Sequence, residues 1–261
     1  YYGKCAFCAH CYPNKERRNK RPEQVYNALN SLSKKYNTPY FSFNDECIEP
    51  YCMKTFSKLI KMNNDNIKWY TFARFEKELD YSTLKTLREG GCKILMFGLE
   101  SANENVLQRM KKGISLPIVK RILGDCSKLG ISIRLGVLVG FPGETKEESE
   151  VTLEFLKENN SLLDQNFFAP PISRYKLLHD SAINNKYSEF KIKILDPPPD
   201  EDLERDQHFI IDLGMNLKES ELQYQKYVGF FINNFHAYKK MPDNKAHIFL
   251  YKNYFDEGGL S

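Results

Sequence analysis

The sequence contains none of the long apolar segments that a membrane protein needs. No apolar run approaches the roughly 18 residues required to span a bilayer. The first five residues, 1–5, also lack the apolar centre of a signal peptide. The charge is equally modest, since 38 basic and 34 acidic residues leave a net charge of +4, which does not by itself indicate a nucleic-acid partner. We therefore expect a cytoplasmic protein without a membrane partner.

Cysteine is distributed in a way that argues against a disulfide framework. The chain has seven cysteines, an odd number, and three of them, Cys5, Cys8 and Cys11, lie within seven residues of one another. A small secreted protein would spread paired cysteines through its length. Clustered cysteines are instead typical of metal or cluster ligands, so we expect a reducing compartment. Cys92 and Cys126 fit positions in the hydrophobic core.

Three kinds of site fit the cysteine loop, residues 5–11. Iron–sulfur clusters take closely spaced thiolates from one loop. Zinc also binds Cys-x-x-Cys pairs, and His10 is nearby, but the sequence has no second pair at a matching spacing. A redox dithiol normally begins a helix in a thioredoxin-like unit, which the order of the predicted strands does not favour. The loop therefore favours an iron–sulfur cluster, with zinc and a dithiol as alternatives.

Short apolar runs alternate with helix-like segments between about residues 22 and 173. This alternation predicts an α/β fold with parallel strands covered by helices, and it leaves open whether the sheet closes into a barrel. Ser82 is a predicted helix cap, and Thr145 with Glu148 forms a predicted capping box. The predicted strands cover residues 39–43, 67–72, 93–97 and 131–139, and a last one contains Phe167 and Phe168.

The pattern changes after residue 173. We expect a core domain over residues 1–173 and an irregular C-terminal extension over residues 174–261, lying on the substrate side of the core. One helix is predicted in this extension, near Lys218 to Phe235.

Polar residues and glycines follow four of the predicted strands. In parallel α/β folds the ligand site lies at the carboxyl ends of the strands, so these clusters are expected to share one pocket. Each cluster taken alone also fits a turn, a helix cap or a surface ion pair. The four clusters are Asn44-Asp45-Glu46, Arg74 with Glu76, Gly98-Leu99-Glu100-Ser101, and Gly140-Phe141-Pro142-Gly143-Glu144-Thr145.

These strand-end motifs, together with Gly3-Lys4-Cys5-Ala6-Phe7-Cys8, resemble the radical S-adenosylmethionine (SAM) superfamily. The resemblance covers about residues 1–173 and is to the branch that includes methylthiotransferases, cobalamin-binding radical SAM enzymes and peptide maturases. It implies a partial (β/α)6 TIM-like barrel. It also implies a [4Fe–4S] cluster that reductively cleaves SAM to a 5′-deoxyadenosyl radical, which abstracts hydrogen from a substrate.

The resemblance further implies roles for individual residues. Cys5 and Cys8 would be two of the cluster ligands, and Phe7 would lie near the adenine of SAM. The other implied SAM-binding residues are Asn44, Asp45 and Glu46 at the amino group, Glu100 and Ser101 at the ribose or carboxylate, Gly140, Phe141 and Pro142 beside adenine, and Arg134 as a further contact. Arg74 is a predicted cofactor-binding residue from its position after a predicted strand.

The sequence departs from the family pattern at its first cysteine. The family needs three ligand cysteines, and the first lies four or five residues before the position of Cys5. The shorter spacing falls on Tyr1, and the longer one falls before it. We expect the chain to be a fragment without this cysteine and without the first strand of the barrel. Cys11 is the alternative third ligand, and a cobalamin-binding domain can also lie upstream.

Two functions follow from these observations. The first is a radical SAM enzyme that acts on an organic, peptide or RNA substrate and takes electrons from a donor such as a flavodoxin or ferredoxin. The alternative is a non-catalytic iron–sulfur or zinc module in which the strand-end motifs are only caps. Because one cysteine is missing, we expect the bare fragment to bind a cluster poorly and to turn over slowly or not at all.

Overall fold

A curled sheet of parallel strands forms the centre of the computed structural model of this chain. The structure describes residues 5–8, 19–163, 172–179, 181–196 and 206–234. Within these ranges the sheet has five strands, which lie side by side in chain order as a partial barrel. The predicted α/β partial barrel is therefore confirmed. The strands are β1 (Tyr40–Ser42), β2 (Lys68–Ala73), β3 (Cys92–Glu100), β4 (Ser132–Val139) and β5 (Ile172–Arg174).

Helices alternate with the strands and place their apolar sides against the sheet. Pro22 and Pro50 occupy the first turns of two of them, where a missing N–H removes no helical hydrogen bond. The alternating helices are α1 (Pro22–Tyr36), α2 (Pro50–Met62), α3 (Tyr81–Glu89), α4 (Glu104–Arg109), α5 (Leu116–Leu129) and α6 (Lys146–Glu158).

The predicted helix caps are confirmed at α6 and wrong at α3. In the capping box of α6, Thr145 Oγ1 accepts the Glu148 N–H at 3.2 Å, and the Glu148 carboxylate accepts the Thr145 N–H at 3.0 Å. The cap of α3 is Asp80 rather than Ser82, because Asp80 Oδ1 accepts the Thr83 N–H at 2.7 Å. A charged carboxylate satisfies the free N–H groups of a first turn better than a hydroxyl placed two residues further on.

The two faces of the sheet have different neighbours. Side chains alternate along each strand, so residues such as Trp69 and Leu95 enter the main core between sheet and helices. Tyr70, Ile94 and Met96 form a separate buried cluster on the inner face of the curled sheet. The inner face is thus available for a site at the carboxyl ends of the strands.

Cys92 of β3 and Cys126 of α5 are fully buried in the main core, as predicted. Burial raises the pKa of the Cys126 thiol to about 12 and raises the pKa of Cys92 well above its ordinary value. A thiol that stays protonated is a poor metal ligand and a poor nucleophile. These two cysteines therefore serve packing.

The residues after β5 add two short antiparallel ladders and one long helix. The helix packs on β5 and α6, with Tyr227 and Phe231 buried in the main core. Tyr227 Oη donates to the Ser149 carbonyl of α6 at 2.6 Å. This is the helix predicted near Lys218. The elements are β6 (Leu177–Leu178) paired with β8 (Asp206–Gln207), β7 (Ile192–Ile194) paired with β9 (Phe209–Ile211), and α7 (Leu217–Asn234).

The strand predicted at Phe167 and Phe168 lies outside the described residues, and the fifth strand of the described sheet is β5. None of the helices within the described ranges is long and apolar enough to cross a membrane.

Candidate active site

A cavity of about 330 Å³ lies on the inner face of the sheet, toward the carboxyl ends of β1 to β4. Four predicted charged residues line it, three of them from the strand-end clusters and the fourth, Arg134, from the family resemblance. They are Glu46 after β1, Arg74 after β2, Glu100 at the end of β3 and Arg134 in β4. A fifth charged residue, Lys112, reaches the cavity from the segment between α4 and α5 and was not predicted from the sequence.

Arg74 connects this cavity with the cysteine loop. Its Nη2 donates to the Lys112 carbonyl at 2.6 Å, and its Nη1 lies 3.9 Å from Cys5 Sγ. Its Nε lies 3.9 Å from Glu76 Oε1, so the ion pair considered as an alternative does exist. The two side chains of that pair are only 13% and 21% exposed, so it is a partly buried pair rather than a surface pair.

The loop from Cys5 to Cys8 is fixed by backbone hydrogen bonds. The Cys8 N–H donates to the Cys5 carbonyl at 3.3 Å, which closes a turn. The Ala6 N–H donates to the Met110 carbonyl at the end of α4, and the Ala6 carbonyl accepts the Ile183 N–H, both at 2.9 Å. Cys5 is buried and Cys8 is half-buried. The backbone therefore holds both thiols on one short turn.

Two thiols on one turn beside a guanidinium suit an iron–sulfur cluster. Thiolates are the protein ligands that such clusters use, and Arg74 offers a positive charge to an anionic cluster. Within the described ranges, no group of three or more His, Cys, Asp or Glu side chains is arranged to hold a metal ion. Of the predicted or alternative ligands, Cys5 and Cys8 lie within the described residues, while His10 and Cys11 lie outside them.

The loop that begins at Gly140 lies against the cysteine loop through two aromatic rings. The Phe141 ring meets the Phe7 ring edge-on, with 6.4 Å between centroids and 77° between planes. Gly140 has φ of +79°, and a Cβ atom there would lie 2.7 Å from Ser220 Cβ, so a side chain does not fit. Phe141 and Pro142 are buried. The segment predicted to border adenine, residues 140–142, therefore lies next to Phe7, the aromatic residue between Cys5 and Cys8.

The lining of the 330 Å³ cavity does not include seven other predicted SAM-binding residues, namely Phe7, Asn44, Asp45, Ser101, Gly140, Phe141 and Pro142. Ser101 is fully buried, bonds to Thr152 Oγ1 at 3.1 Å and accepts the Asn103 N–H at 3.1 Å, so its hydroxyl supports the start of α4. Asn44 and Asp45 are exposed. Asp45 lines a second cavity of about 580 Å³, between α1 and the start of α2.

Glu144 is a buried carboxyl group in the loop that begins at Gly140. It is 1% exposed, and its Oε2 accepts the Gly140 N–H at 2.6 Å. Burial raises the pKa of Glu144 to about 7, although hydrogen bonds from the backbone of Gly140 and Phe141 act in the opposite direction. This carboxyl group therefore titrates near neutral pH.

We expect the contribution of Glu144 to the stability of the protein to fall as pH rises from about 4.5 to about 7. Over this interval Glu144 keeps its proton in the folded protein and loses it in the unfolded chain, so the folded state binds more protons. The loss amounts to about 3 kcal/mol of unfolding free energy. In Glu144→Gln this part of the pH dependence is expected to disappear, so the variant gains stability relative to the parent at pH 8. Urea unfolding at pH 5 and pH 8 measures both effects.

Glu147→Gln is the matched control, because Glu147 is exposed in the first turn of α6. It should leave the pH dependence of unfolding unchanged. A Glu144→Gln protein that shows the same pH dependence as the parent would contradict the elevated pKa.

A curled parallel sheet covered by helices, with a charged cavity at its strand ends, places the chain among the partial-barrel α/β proteins. The family model of the radical SAM superfamily matches residues 2–156. This match covers more than half of the chain, so the chain belongs to the radical SAM superfamily.

Curated relatives include methyltransferases and methylthiotransferases. The chain is 28% identical over 184 residues to an uncharacterised methyltransferase of Pyrococcus horikoshii, with 69% of this chain and 40% of the relative covered. It is 26% identical over 168 residues to bacteriochlorophyllide d C-8(2)-methyltransferase of Chlorobaculum tepidum, with 60% of this chain and 37% of the relative covered. It is 29% identical over 105 residues to ribosomal protein uS12 methylthiotransferase of Chlorobium chlorochromatii, with 38% of this chain and 24% of the relative covered. The matched part of each relative is less than half of its length.

Solved structures with the same fold include cobalamin-dependent radical SAM enzymes. The methyltransferase TsrM of Kitasatospora setae, solved with cobalamin and a [4Fe–4S] cluster, has a TM-score of 0.64 at 15% identity and covers 75% of this chain and 41% of its own. OxsB, solved with aqua-cobalamin, has a TM-score of 0.67 at 16% identity, and the match covers 97% of this chain and 44% of OxsB. At these identities the likeness shows the fold. The superfamily match and the methyltransferase and methylthiotransferase relatives confirm the predicted branch of the superfamily.

Proposed function

We propose that this chain is the core of a radical SAM enzyme in which SAM occupies the 330 Å³ cavity and Cys5 and Cys8 hold a [4Fe–4S] cluster beside it. The observation that carries the proposal is one cavity lined by Glu46, Arg74 and charged residues of β3 and β4, with Arg74 also touching Cys5. A cavity of this size and polarity suits a charged nucleoside cofactor.

The charges around the cavity match the groups of SAM. The Glu46 carboxylate would bind the ammonium group, and the Arg134 guanidinium would bind the carboxylate of the methionine part. The Glu100 carboxylate would accept the ribose hydroxyl groups. Phe7 and the backbone from Gly140 to Pro142 would border the adenine, because the Phe7 and Phe141 rings already lie together.

When bound, the cluster and SAM supply a 5′-deoxyadenosyl radical that abstracts hydrogen from the substrate, using one electron from a donor such as a flavodoxin or ferredoxin. The protein's own part is to position the cofactors and to exclude water from the site. Arg74 places a positive charge next to the Cys5 thiol, and Phe7 and Phe141 shield that side of the site from solvent.

The substrate is proposed to be an organic molecule, a peptide or an RNA. The names of the relatives support the first two of these classes, since they include a bacteriochlorophyllide methyltransferase and a ribosomal protein methylthiotransferase. The structures of TsrM and OxsB were solved with cobalamin, so we propose that a cobalamin-binding domain also belongs to the complete protein.

The test of this function is SAM binding and cleavage by the full-length protein. After anaerobic reconstitution with iron and sulfide, SAM and a one-electron reductant are expected to give 5′-deoxyadenosine. Glu46→Gln should raise the Kd for SAM about tenfold or more, because a charge-assisted hydrogen bond to the ammonium group is lost. Asp45→Asn is the matched control, since Asp45 is adjacent and exposed but lines the other cavity.

Two outcomes would contradict the proposal. A well-formed cluster with neither SAM binding nor 5′-deoxyadenosine would favour the non-catalytic iron–sulfur module. Equal losses of SAM affinity in Glu46→Gln and Asp45→Asn would show that the 330 Å³ cavity is not the SAM site.

A further inference from the structure

Part of the C-terminal extension, residues 183–196 and 206–215, contacts two loops of the candidate site, and we name it the strap. At its first end, the Ile183 N–H donates to the Ala6 carbonyl at 2.9 Å. The Ile183 side chain is fully buried in the hydrophobic cluster that also contains Phe141. This end of the strap therefore fixes the backbone of the residue that directly follows Cys5.

The other end of the strap holds the loop that follows β4. The Gly143 N–H donates to the Leu213 carbonyl at 3.0 Å, and the Met215 N–H donates to the Glu144 carbonyl at 2.8 Å. Gly214 lies between these two hydrogen bonds and has φ of +83°. A Cβ atom on Gly214 would lie 2.5 Å from the Glu144 carbonyl oxygen. A side chain at this position is therefore incompatible with both hydrogen bonds.

A short antiparallel ladder joins the two ends of the strap. Ile192 of β7 pairs with Ile211 of β9, and both side chains are buried. The Asp212 N–H extends the pairing by donating to the Lys191 carbonyl at 3.0 Å. Hydrogen-bonded strands keep a nearly constant separation. A displacement of one end of the strap is therefore passed to the other end.

We propose that the strap sets the position of the cysteine loop relative to the loop that follows β4, and that Gly214 is the residue that lets it dock. This inference goes beyond the proposed function, because it concerns the chain's own backbone and holds for whichever cofactor the thiols bind. The atoms nearest to a side chain at position 214 belong to Gly143 and Glu144, yet a change there should loosen Cys5. Because Cys5 is only 1% exposed, the reactivity of its thiol reports such loosening.

The experiment measures how fast iodoacetamide labels each cysteine of the full-length apoprotein, with the labelled peptides quantified by mass spectrometry. Gly214→Ala should raise the labelling rate of Cys5 about tenfold, because losing two backbone hydrogen bonds makes local opening easier. Cys126 is fully buried in the main core and should keep its parental rate, which shows that the fold is intact. Gly229→Ala is the matched control: a Cβ atom there lies within 4 Å of no packing neighbour in the described part of the chain, so Cys5 should label as in the parent.

Ile211→Ala tests the strap at a second place and serves if Gly214→Ala does not fold. It truncates a buried side chain in the ladder, away from the cysteine loop, and should raise Cys5 labelling at least about tenfold. Ile122→Ala is its matched control, because it removes the same atoms from a fully buried site in α5. It should leave the labelling rate of Cys5 close to that of the parent.

Parental labelling of Cys5 in both Gly214→Ala and Ile211→Ala would overturn the inference. Equal increases in Ile211→Ala and Ile122→Ala would overturn it as well, since the effect would then follow general stability rather than the strap. These rates are measured without cluster or SAM. A protein that shows strap-dependent protection of Cys5 but no SAM cleavage would therefore refute the proposed function and leave this inference standing.

Discussion

Cys8→Ser is expected to lower 5′-deoxyadenosine formation by the reconstituted full-length protein at least about 100-fold. Changing residues that only support metal ligands already costs about 10- to 100-fold, and a ligand contributes more than its supports. Cys8 is half-buried on a turn that the Cys5 carbonyl closes, so a serine there fits without disturbing the loop. Bound iron and sulfide, together with the 5′-deoxyadenosine yield, are the measurements.

The control for this prediction is Cys52→Ser. Cys52 is also half-buried, but it lies in α2 and lines the second cavity. It should keep both cluster and activity. Cys11→Ser tests the identity of the third ligand: we expect the cluster to survive, because the family places that ligand before Cys5. A Cys8→Ser protein with parental iron content and activity would show that Cys8 is not a ligand.

Trp69→Ala is expected to destabilise the protein by about 4 kcal/mol. The Trp69 side chain is completely buried, and its ring packs at 5.0 Å from the Phe56 ring and 5.8 Å from the Phe43 ring. Its Nε1 also donates to the Gly90 carbonyl at 2.8 Å. Truncation leaves a large cavity between β2 and α2 and removes that hydrogen bond. Urea unfolding of the apoprotein measures the loss.

Trp69→Phe separates the two contributions. It keeps most of the ring packing and removes the indole N–H, so a smaller loss of about 1–2 kcal/mol is expected. Phe43 immediately precedes the Asn44-Asp45-Glu46 motif, so Trp69→Ala should also weaken SAM binding more than Trp69→Phe does. A Trp69→Ala protein as stable as the parent would mean that this aromatic cluster does not organise the strand end.

The convergence of charges in the cavity follows from the sequence, because parallel strands bring their carboxyl ends to one edge. Glu46, Arg74 and Glu100 come together for this reason. The motif neighbours Asp45 and Ser101 do not join them: Asp45 lines the second cavity, and the Ser101 hydroxyl is bonded to Thr152. A motif identifies the strand end, whereas the local backbone decides which of its residues faces the cavity.

Lys112 could not be predicted in this way. It lies twelve residues after Glu100, beyond α4, in a segment with no strand or helix pattern of its own. The contact of its Nζ with Glu100 Oε1, at 2.8 Å, depends on the left-handed backbone of Glu100 and on the missing side chain of Gly98. The sequence shows that Glu144 belongs to the motif of residues 140–145, but only its burial in the folded protein explains its raised pKa. Both features arise from three-dimensional contacts, which spacing along the chain does not encode.

The position of α7 has a consequence for the order in which the protein assembles during synthesis. Tyr227 and Phe231 fill the part of the main core next to β5, although they follow that strand by about fifty residues. A chain emerging from the ribosome therefore exposes this apolar edge of the barrel until α7 has been made. The contacts of α7 with β5 and α6 therefore complete this part of the core only late in synthesis.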